Sequence, residues 1–429
     1  MMKVLVEEPV KIEVEHIARV EGHGNIRIGI KNGELTECSW DVVESPRYFE
    51  VMFRGLSLEM APLLAARICG ICSISHALAS ARAAEQALQI QVPEIARKVR
   101  LLAKHAETLQ SHTLHLFFLV APDLLDVGSV IPVLGTNPDV VQLALQLKGY
   151  ANQASDLFAG RTSHPMVVQV GGLTQVPRKR LLRQLLQDLE KILPALWNGL
   201  ELFKSLPIPR FERETEFVSL RTEGHYPFIG GDLISSDGIR KREAEYLAMT
   251  NEFFVENSTS KHCKLSRDSF AVGALARFNN NYQWLHPQAK TAAEELGLTA
   301  PDYNPFHHNL AQLVECFHVA YESREMIAEL LDSDLTDFMA PYDLKAGSGV
   351  GAIEAPRGIL YHSFEIDDSG VIMGSNCVIP TGQNHANIQH DLLEFVPQLV
   401  AEGVDEDQIS KQAQMLVRAY DPCISCSVH

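Results

Sequence analysis

The sequence lacks any apolar run long enough to cross a membrane. The longest candidate extends from Leu116 to Pro122 and is bounded by His115 and Asp123, whereas a spanning helix needs about 20 apolar residues. The first residues of the chain include glutamates, where a signal peptide requires an uninterrupted apolar segment. We therefore expect a cytoplasmic protein without a membrane span.

Basic residues are also scarce relative to acidic ones. Lysine and arginine together number 37 and aspartate and glutamate 54, so the formal net charge is −17. A surface this acidic repels a phosphate backbone unless it carries a local basic patch. The densest basic cluster, Arg178-Lys179-Arg180 with Arg183, opens an amphipathic segment, and we interpret it as a solvated helix face. Nucleic acid is therefore not an expected partner.

Internal repeats, low-complexity segments and flexible linkers are absent as well. The chain has 429 residues, of which 46% are hydrophobic and 21% charged, a composition typical of globular proteins that excludes collagen-like and disordered chains. We therefore expect one large domain over residues 1–429. Within it we expect a β region at 1–57, a helical bundle at 58–335, and a β hairpin with C-terminal helices and candidate metal ligands at 336–429.

Two parts of the chain have the pattern of β-strands. Apolar and polar or small residues alternate over 26–30, just before Asn32-Gly33, a pair that favours the tight turn of a hairpin. In the C-terminal half, the segments 358–366 and 371–378 flank a turn rich in Asp, Ser and Gly. The sequence therefore predicts one hairpin near each end of the chain.

Segments with few breaks and an apolar period near 3.6 residues predict helices. They are 67–91, 94–120, 139–158, 178–204, 240–256, 308–332, 387–400 and 405–418. The segment 206–240 is rich in Pro, Gly and aromatic residues and is expected to be irregular or to form short strands. The predicted fold class is therefore mainly α with peripheral β (α+β), in which a core bundle of long helices carries β hairpins.

The chain has eight cysteines, four of which form two C-x-x-C pairs. A reducing compartment favours thiols over disulfides, so we expect metal or redox chemistry at these pairs. The first pair, Cys69 and Cys72, stands at the predicted start of a helix with His76 four residues further on. A helix N-terminus and the adjacent Arg67 both lower the pKa of a thiol. Thiolates are soft ligands that suit zinc, iron and other late transition metals.

The second pair, Cys423 and Cys426, lies near the last residue, His429. If the two pairs bind one metal, both ends of the chain meet at one site. A structural zinc site is an alternative, although zinc pairs usually stand within about 20 residues of each other. A thioredoxin-like redox pair is another alternative, but neither motif lies in a βαβ pattern.

Four motifs, in this order, resemble those of the large, catalytic subunit of nickel–iron hydrogenases. They are Arg19-Val-Glu21-Gly-His23-Gly, Arg67-x-Cys69-Gly-x-Cys72-x-x-x-His76, Glu354-Ala-Pro356-Arg357-Gly358 and Asp421-Pro-Cys423-x-x-Cys426-x-x-His429. The resemblance extends over nearly the whole chain. It is strongest to the cytoplasmic, multimeric, NAD(P)-linked bidirectional enzymes, also called sulfhydrogenases. It implies the large-subunit fold of that family.

The resemblance implies a binuclear metal centre. Cys69, Cys72, Cys423 and Cys426 would bind nickel, and Cys72 and Cys426 would also bridge to an iron that carries one carbon monoxide and two cyanide ligands. Cys423, a terminal ligand, would accept the proton when H2 is split heterolytically. Glu21 would receive or relay that proton.

The same resemblance assigns roles around this centre. Arg357, held in the constrained setting of Pro356 and Gly358, would lie over the open coordination position beside a cyanide. Asp421 would be a carboxylate near Arg357. Thr381 would donate its hydroxyl to the other cyanide.

Two further residues, His76 and Ser111, are expected to form hydrogen bonds around the metal centre without binding a metal themselves. His76 would hydrogen-bond a bridging sulfur. Ser111 precedes His112 where many relatives have Asp-His, so the carboxylate that would pair with Arg357 from this helix is missing, although the Ser111 hydroxyl is able to form a hydrogen bond.

The resemblance also implies a second metal site near the C-terminus. Glu50, the backbone carbonyl of Cys377 and His429 would bind magnesium or, as in some relatives, iron. Family precursors carry a tail beyond the last histidine that a maturation protease removes after nickel-insertion chaperones have acted. The chain is therefore expected to be the processed form.

The function implied is reversible oxidation of H2 to protons and electrons. The sequence has no further C-x-x-C clusters and no Gly-x-Gly-x-x-Gly, so we expect electrons to leave through an iron–sulfur small subunit and flavin-containing, NAD(P)-linked diaphorase-type subunits. Iron–sulfur clusters and flavin would lie only in those partners. The final acceptor stays open among NADP, NAD, a deazaflavin coenzyme and a ferredoxin. A catalytically silent relative in a larger redox complex and a structural zinc protein are the alternatives.

Overall fold

Twelve strands form four small sheets in the computed structural model, which describes residues 10–429. The strands are β1 (Val10–Val14), β2 (Gly24–Lys31), β3 (Glu34–Val42), β4 (Val168–Gln169), β5 (Gly172–Leu173), β6 (Glu216–Arg221), β7 (Asp232–Ser235), β8 (Arg240–Lys241), β9 (Phe270–Ala271), β10 (Gly347–Ala355), β11 (Gly358–Ile366) and β12 (Ile372–Val378). The sheet orders are β1-β2-β3, β4-β5, β8-β7-β6-β9 and β10-β11-β12. All neighbours are antiparallel except β6 and β9.

Fifteen α-helices account for most of the remaining regular structure in this part of the chain. They are α1 (Phe49–Phe53), α2 (Ala61–Ala65), α3 (Ser73–Leu88), α4 (Glu94–Leu114), α5 (Ala121–Leu124), α6 (Val130–Thr136), α7 (Pro138–Ala159), α8 (Lys179–Ser205), α9 (Leu247–Thr250), α10 (Ala274–Asn281), α11 (Pro287–Glu295), α12 (His308–Asp332), α13 (Pro380–Ala401), α14 (Glu406–Ala419) and α15 (Ile424–Ser427). A π-helical turn, His115–Val120, extends α4.

The bundle is built from the long helices. The helix α4 packs against α7 and α12, and α8 packs against both of those helices. Leu182, Leu185, Leu189 and Leu196 recur at helical spacing on α8 and are buried, which is the apolar stripe that an amphipathic helix turns toward a core. Within residues 10–429 no helix is both long and apolar enough to span a membrane.

The first sheet has the hairpin that the sequence predicts. Asn32 and Gly33 connect β2 and β3 with φ angles of 53° and 76°, which is the left-handed conformation that such a turn requires. Ile26 and Ile28 are buried on one side of β2. Trp40 of β3 lies on the same core and donates its indole N–H to His385 of α13 at 3.0 Å.

The last sheet positions the residues of the third motif. Strands β10 and β11 are joined by a two-residue turn, Pro356-Arg357, because Ala355 pairs with Gly358. The helix α3 packs closely against β10. A Cβ on Gly351 would lie 2.2 Å from the carbonyl oxygen of Ala79, so the close approach of helix and strand requires glycine at this position.

Four predicted helices differ from the structure. The segment 67–91 is helical only from Ser73, the segment 94–120 changes from α-helical to π-helical bonding after Leu114, and the helix predicted at 387–400 begins earlier, at Pro380. The helix predicted at 240–256 is wrong. Only β8, a 3-10 turn and the single helical turn α9 form there, and the helix ends at Asn251, which has a φ of 37°.

Candidate metal centre

The four cysteines of the two C-x-x-C pairs meet at one place. Their Sγ atoms all lie within 4.8 Å of one another, and all four residues are buried. Cys69 lies in the loop before α3 and Cys72 is the N-cap residue of that helix, so the expectation that both stand on a helix is wrong for Cys69. Cys423 and Cys426 begin and end the first turn at α15.

Pairing between the two ends of the chain brings the second pair to the first. Glu21 and Cys423 form a parallel β-bridge, and Ile424 N donates to Glu21 O at 2.9 Å. Gly22 has a φ of +86°, and a Cβ there would lie 2.8 Å from Ser425 N. Glycine is therefore required where these segments cross.

Arg47 contacts both cysteine loops, a role that was not predicted from the sequence. Its Nη2 donates to the carbonyl oxygen of Ile68 at 2.7 Å and to the carbonyl oxygen of Ser425. Its backbone N–H donates to Val428 O at 2.8 Å. The only local signal is that Arg47 lies three residues before Glu50, a predicted ligand of the second metal.

Hydrogen bonds support a thiolate at Cys69. Its Sγ accepts the backbone N–H groups of Ile71 at 3.3 Å and Cys72 at 3.0 Å. Burial raises the pKa of Cys69, but the hydrogen bonds from Cys72 and the charge of Arg357 outweigh burial and lower it below its usual value. The pKa of Cys72 is raised, first by its contact with Cys69 and then by burial.

The two sulfurs of the second pair lie against each other. The Sγ atoms of Cys423 and Cys426 are in contact, because the C-x-x-C spacing brings both side chains to one side of this helical turn. Cys69 and Cys72 are free thiols. Metal binding uses all four sulfurs as thiolates, since the thiolate is the ligand form.

A small closed cavity of about 10 Å³ borders the sulfurs, with room for roughly one water-sized group. It is lined by Cys72, His76, Ala355, Arg357, Leu360, Ile379, Pro380, Thr381, Cys423 and Cys426. The Nη1 atom of Arg357 is buried and has no hydrogen-bond partner among residues 10–429. A buried guanidinium nitrogen without a partner is costly, and this one fits an anionic ligand such as cyanide. Four soft sulfurs beside it fit a nickel–iron centre.

Arg357 is held by Asp421. Its Nε donates to the backbone carbonyl of Asp421 at 2.6 Å and its Nη2 to the carboxylate at 3.1 Å. Burial lowers the pKa of Arg357, but Asp421 and the thiols of Cys72 and Cys69 outweigh burial, so the group is held firmly in its charged form.

Ser111 does not share in this ion pair. Its hydroxyl is buried and has no hydrogen-bond partner in the described part of the chain. The neighbouring His112 instead contacts Glu315 at 2.7 Å. Asp421 therefore supplies the carboxylate of the ion pair with Arg357.

Glu21 lies next to Cys423. Its Oε2 is 3.1 Å from the Sγ of Cys423 and accepts the backbone N–H of Ser425 at 3.0 Å. Its Oε1 accepts the hydroxyl of Ser425. The carboxylate is thus placed to exchange a proton with the sulfur and with a neighbouring hydroxyl.

Thr381 and His76 line the opposite parts of the cavity. The Oγ1 of Thr381 accepts the backbone N–H of Cys423 at 3.0 Å, which leaves its hydroxyl hydrogen for another acceptor. The Nδ1 of His76 lies 3.1 Å from the Nε2 of His362. Burial, followed by the charge of His362, holds the pKa of His76 well below its usual value.

The residues of the predicted second metal site also come together. The Oε1 of Glu50 accepts the backbone N–H of Cys377 at 2.8 Å and the amide of Asn376 at 2.9 Å, and it lies 3.5 Å from the Nε2 of His429. Burial raises the pKa of Glu50, but the bonds from His429 and Cys377 outweigh it and lower the pKa to about 2. The carboxylate is therefore ionised and able to bind a cation.

The family comparison agrees with the four-cysteine cluster. A family model described as nickel-dependent hydrogenase matches residues 47–138 and 242–429, which include all four cysteines and Arg357. The chain belongs to this family. The hydrogenase is therefore an oxidoreductase whose four clustered cysteines could hold a metal ion, and this membership disfavours the structural zinc alternative.

Relatives match this hydrogenase over almost its whole length. Sulfhydrogenase 2 subunit alpha of Pyrococcus furiosus is 32% identical over 97% of this chain and 98% of its own. NAD-reducing hydrogenase HoxS subunit beta of Cupriavidus necator is 27% identical over 98% of this chain and 94% of its own. A crystal structure of an NAD+-reducing [NiFe]-hydrogenase in the H2-reduced state superimposes with a TM-score of 0.90 at 25% identity, covering 98% of this chain and 99% of that one. The predicted mainly α fold with peripheral β is confirmed.

Proposed function

We propose that this chain is the catalytic subunit of a [NiFe] hydrogenase that interconverts H2 with protons and electrons and is linked to NAD(P). The observation that carries the proposal is the meeting of four buried cysteines beside a cavity that Arg357 lines, where the buried Nη1 of Arg357 has no partner among the described residues. A structural zinc site would need neither that cavity nor a buried cation.

Cys69, Cys72, Cys423 and Cys426 would hold nickel, and Cys72 and Cys426 would also hold an iron with one CO and two cyanides. When bound, this centre supplies the position at which H2 is cleaved heterolytically. The Nη1 of Arg357 would donate to one cyanide. The hydroxyl of Thr381 would donate to the other, since its oxygen already accepts a bond from the chain.

The proton is taken up by the Cys423 sulfur and passes to the Oε2 of Glu21, 3.1 Å away. No intervening water is needed at that distance. The hydroxyl of Ser425, which contacts Oε1 of the same carboxylate, offers the next step. Arg357 stays charged and, held by Asp421, orients the ligands throughout.

A second cation, Mg²⁺ or iron, would bind at Glu50, the carbonyl oxygen of Cys377 and His429. Carboxylate and carbonyl oxygens suit magnesium, whereas a ring nitrogen is less usual for it. The ionised state of Glu50, with a pKa lowered to about 2, supports a cation here.

Electrons would leave through an iron–sulfur small subunit and continue to flavin-containing, NAD(P)-linked diaphorase-type subunits. The relatives' names, a subunit alpha of a sulfhydrogenase and a subunit beta of an NAD-reducing hydrogenase, support a multi-subunit assembly. We further propose a cytoplasmic enzyme, folded as one domain, whose precursor is served by nickel-insertion chaperones and a maturation protease.

Infrared spectroscopy of the purified chain with its partner subunit tests this proposal. One CO band and two cyanide bands are expected in a window where protein does not absorb, and Cys423→Ala is expected to abolish H2 uptake. A blank window together with stoichiometric zinc, or unchanged H2 uptake in the Cys423→Ala variant, would contradict the proposal.

A further inference from the structure

The turn that carries Arg357 is held from behind by a second buried arginine, Arg277 of α10. Arg277 is fully buried. Its Nη1 donates to the carbonyl oxygen of Ala355 at 3.0 Å and its Nη2 to that of Pro356 at 3.0 Å. These two carbonyls belong to the residues immediately before Arg357, so the guanidinium of Arg277 fixes the backbone from which the Arg357 side chain starts.

Carboxylates occupy the remaining N–H groups of Arg277. Its Nε and Nη2 each donate to one oxygen of Glu315 at 2.6 Å, and its Nη1 donates to Glu354 at 3.0 Å. Together with the two carbonyls, these contacts use all five N–H groups of a guanidinium. The arrangement depends on the planar fork that arginine has and lysine lacks.

The two carboxylates are themselves anchored. Glu315 accepts the hydroxyl of Tyr226 at 2.7 Å and contacts the Nε2 of His112 at 2.7 Å. Glu354 accepts the backbone N–H of Leu220 at 2.7 Å. The Arg277 guanidinium is therefore held by residues of three elements, α4, α12 and β6. The same guanidinium fixes the two-residue turn Pro356-Arg357.

We propose that Arg277 is a positioning residue for the hydrogenase reaction, which sets the place of the Arg357 guanidinium over the metal cavity. Asp421 fixes only one edge of that guanidinium, through Nε and Nη2, and Nη1 is left without a partner in the described part of the chain. A rotation of the turn at Pro356 would swing Nη1 away from its target. The proposal rests on the proposed function of Arg357 toward the cyanide ligand.

Arg100 offers a matched control. It is likewise buried, donates to a carboxylate, Glu85, and donates to two backbone carbonyls, those of Gln169 and Gly172. None of these partners lines the metal cavity. Arg100→Lys and Arg277→Lys therefore remove the same kind of fork, and only the second removes it from the turn that presents Arg357.

The experiment compares Arg277→Lys, Arg100→Lys and wild type as holoenzymes with the partner subunit. Both variants are expected to lower the thermal midpoint. Only Arg277→Lys is expected to shift a cyanide band and to lower kcat for H2 oxidation by about 100-fold, the cost typical of a misplaced catalytic group. Wild-type cyanide bands and wild-type kcat in Arg277→Lys would overturn the proposal.

Two further measurements test the proposal if Arg277→Lys folds poorly or binds no metal. Glu315→Gln weakens the hold on Arg277 with less change of volume, and the same band shift is expected; unchanged bands would overturn the proposal. The distance between Arg357 Nη2 and Asp421 Oδ1 is 3.1 Å in the wild-type structure. In metal-free crystal structures of Arg277→Lys and Glu315→Gln, this distance is expected to exceed about 3.5 Å. An unchanged distance would also overturn it. A wild-type enzyme without CO and cyanide bands would instead refute the proposed function.

Discussion

Replacing Glu21 by glutamine tests the proton step most directly. The carboxylate Oε2 is 3.1 Å from the Cys423 sulfur, so Glu21 is the nearest acceptor for a proton that leaves this thiol. An uncharged amide accepts a proton far less readily than a carboxylate. Its oxygen is still able to accept the Ser425 N–H, 3.0 Å from the present oxygen, and its NH2 is able to donate to the Ser425 hydroxyl. The Glu21→Gln variant is therefore expected to fold and to bind metal.

The expected loss of H2-oxidation rate follows from the removal of the proton transfer to Glu21. A positioned acid or base contributes about 10²- to 10⁴-fold to a rate, which corresponds to about 3 to 5 kcal/mol in the activation free energy. H2 oxidation with an artificial electron acceptor measures this loss. Infrared bands of the CO and cyanide ligands show in the same samples whether the metal centre is intact.

Glu21→Asp is the matched control, because it keeps the carboxylate and withdraws it by roughly one carbon–carbon bond, about 1.5 Å. A water molecule is able to bridge that gap, so an intermediate rate is expected. If Glu21→Gln keeps more than about a tenth of the wild-type rate with unchanged infrared bands, the proton leaves Cys423 by another route and the assignment of Glu21 is refuted.

Three further predictions follow from positions near the centre. Gly22→Ala places a Cβ 2.8 Å from Ile424 Cβ at a φ of +86°, and is expected to destabilise the fold by about 2 kcal/mol, as measured by thermal unfolding; an unchanged midpoint would argue against the close crossing. The pKa of Glu50 is lowered to about 2 from 4.5, so this group stabilises the metal-free fold above pH 4.5 and loses that contribution as the pH falls toward 2. Urea unfolding of wild type and Glu50→Gln is expected to give a stability difference that narrows across this range, whereas a constant difference would contradict the shift. Thr381→Val removes the acceptor of the Cys423 N–H at 3.0 Å, and is expected to lower the free energy of unfolding by about 1 to 3 kcal/mol. The same variant is expected to shift one cyanide band in the infrared spectrum. Unshifted bands would exclude a contact between Thr381 and that ligand.

Local signals predicted those elements whose own residues favour one conformation. The helix predicted at 308–332 has the same bounds in α12, because it is filled by residues of good helix propensity and no Pro or Gly interrupts them. The hairpin at Asn32-Gly33 was equally predictable, since the left-handed conformation of these two residues decides the turn by itself.

Strand β10 and the segment 240–256 lacked such signals. Glycines at 347, 349 and 351 give no alternation of apolar side chains, because their purpose is to let α3 approach the backbone. The segment 240–256 has residues with good helix propensity, yet β8 and the left-handed Asn251 divide it. Tertiary contacts decide the conformation in both places.

The candidate site likewise contains some residues that local sequence patterns predicted and others that they did not. Motif spacing named the four cysteines, Glu21 and Arg357, because each lies in a short and unusual pattern. Arg47 and Arg277 lie outside those patterns, and their partners come from segments remote in sequence. Arg277, for example, bonds Glu315 and Pro356, which are separated from it by 38 and 79 residues. A single sequence does not reveal such pairs.

The bridge between Glu21 and Cys423 makes the metal centre depend on segments that are far apart in the order of synthesis. The sulfurs of Cys69 and Cys423, 3.8 Å apart, come from positions separated by 354 residues. A ribosome-bound chain that has emerged through α14 already contains nearly all of the apolar core residues, but it has only half of the sulfur ligands. Metal uptake by all four sulfurs therefore requires that the chain has emerged past Cys426, and a chain cut before α15 would retain most of its core with only two of the four sulfurs.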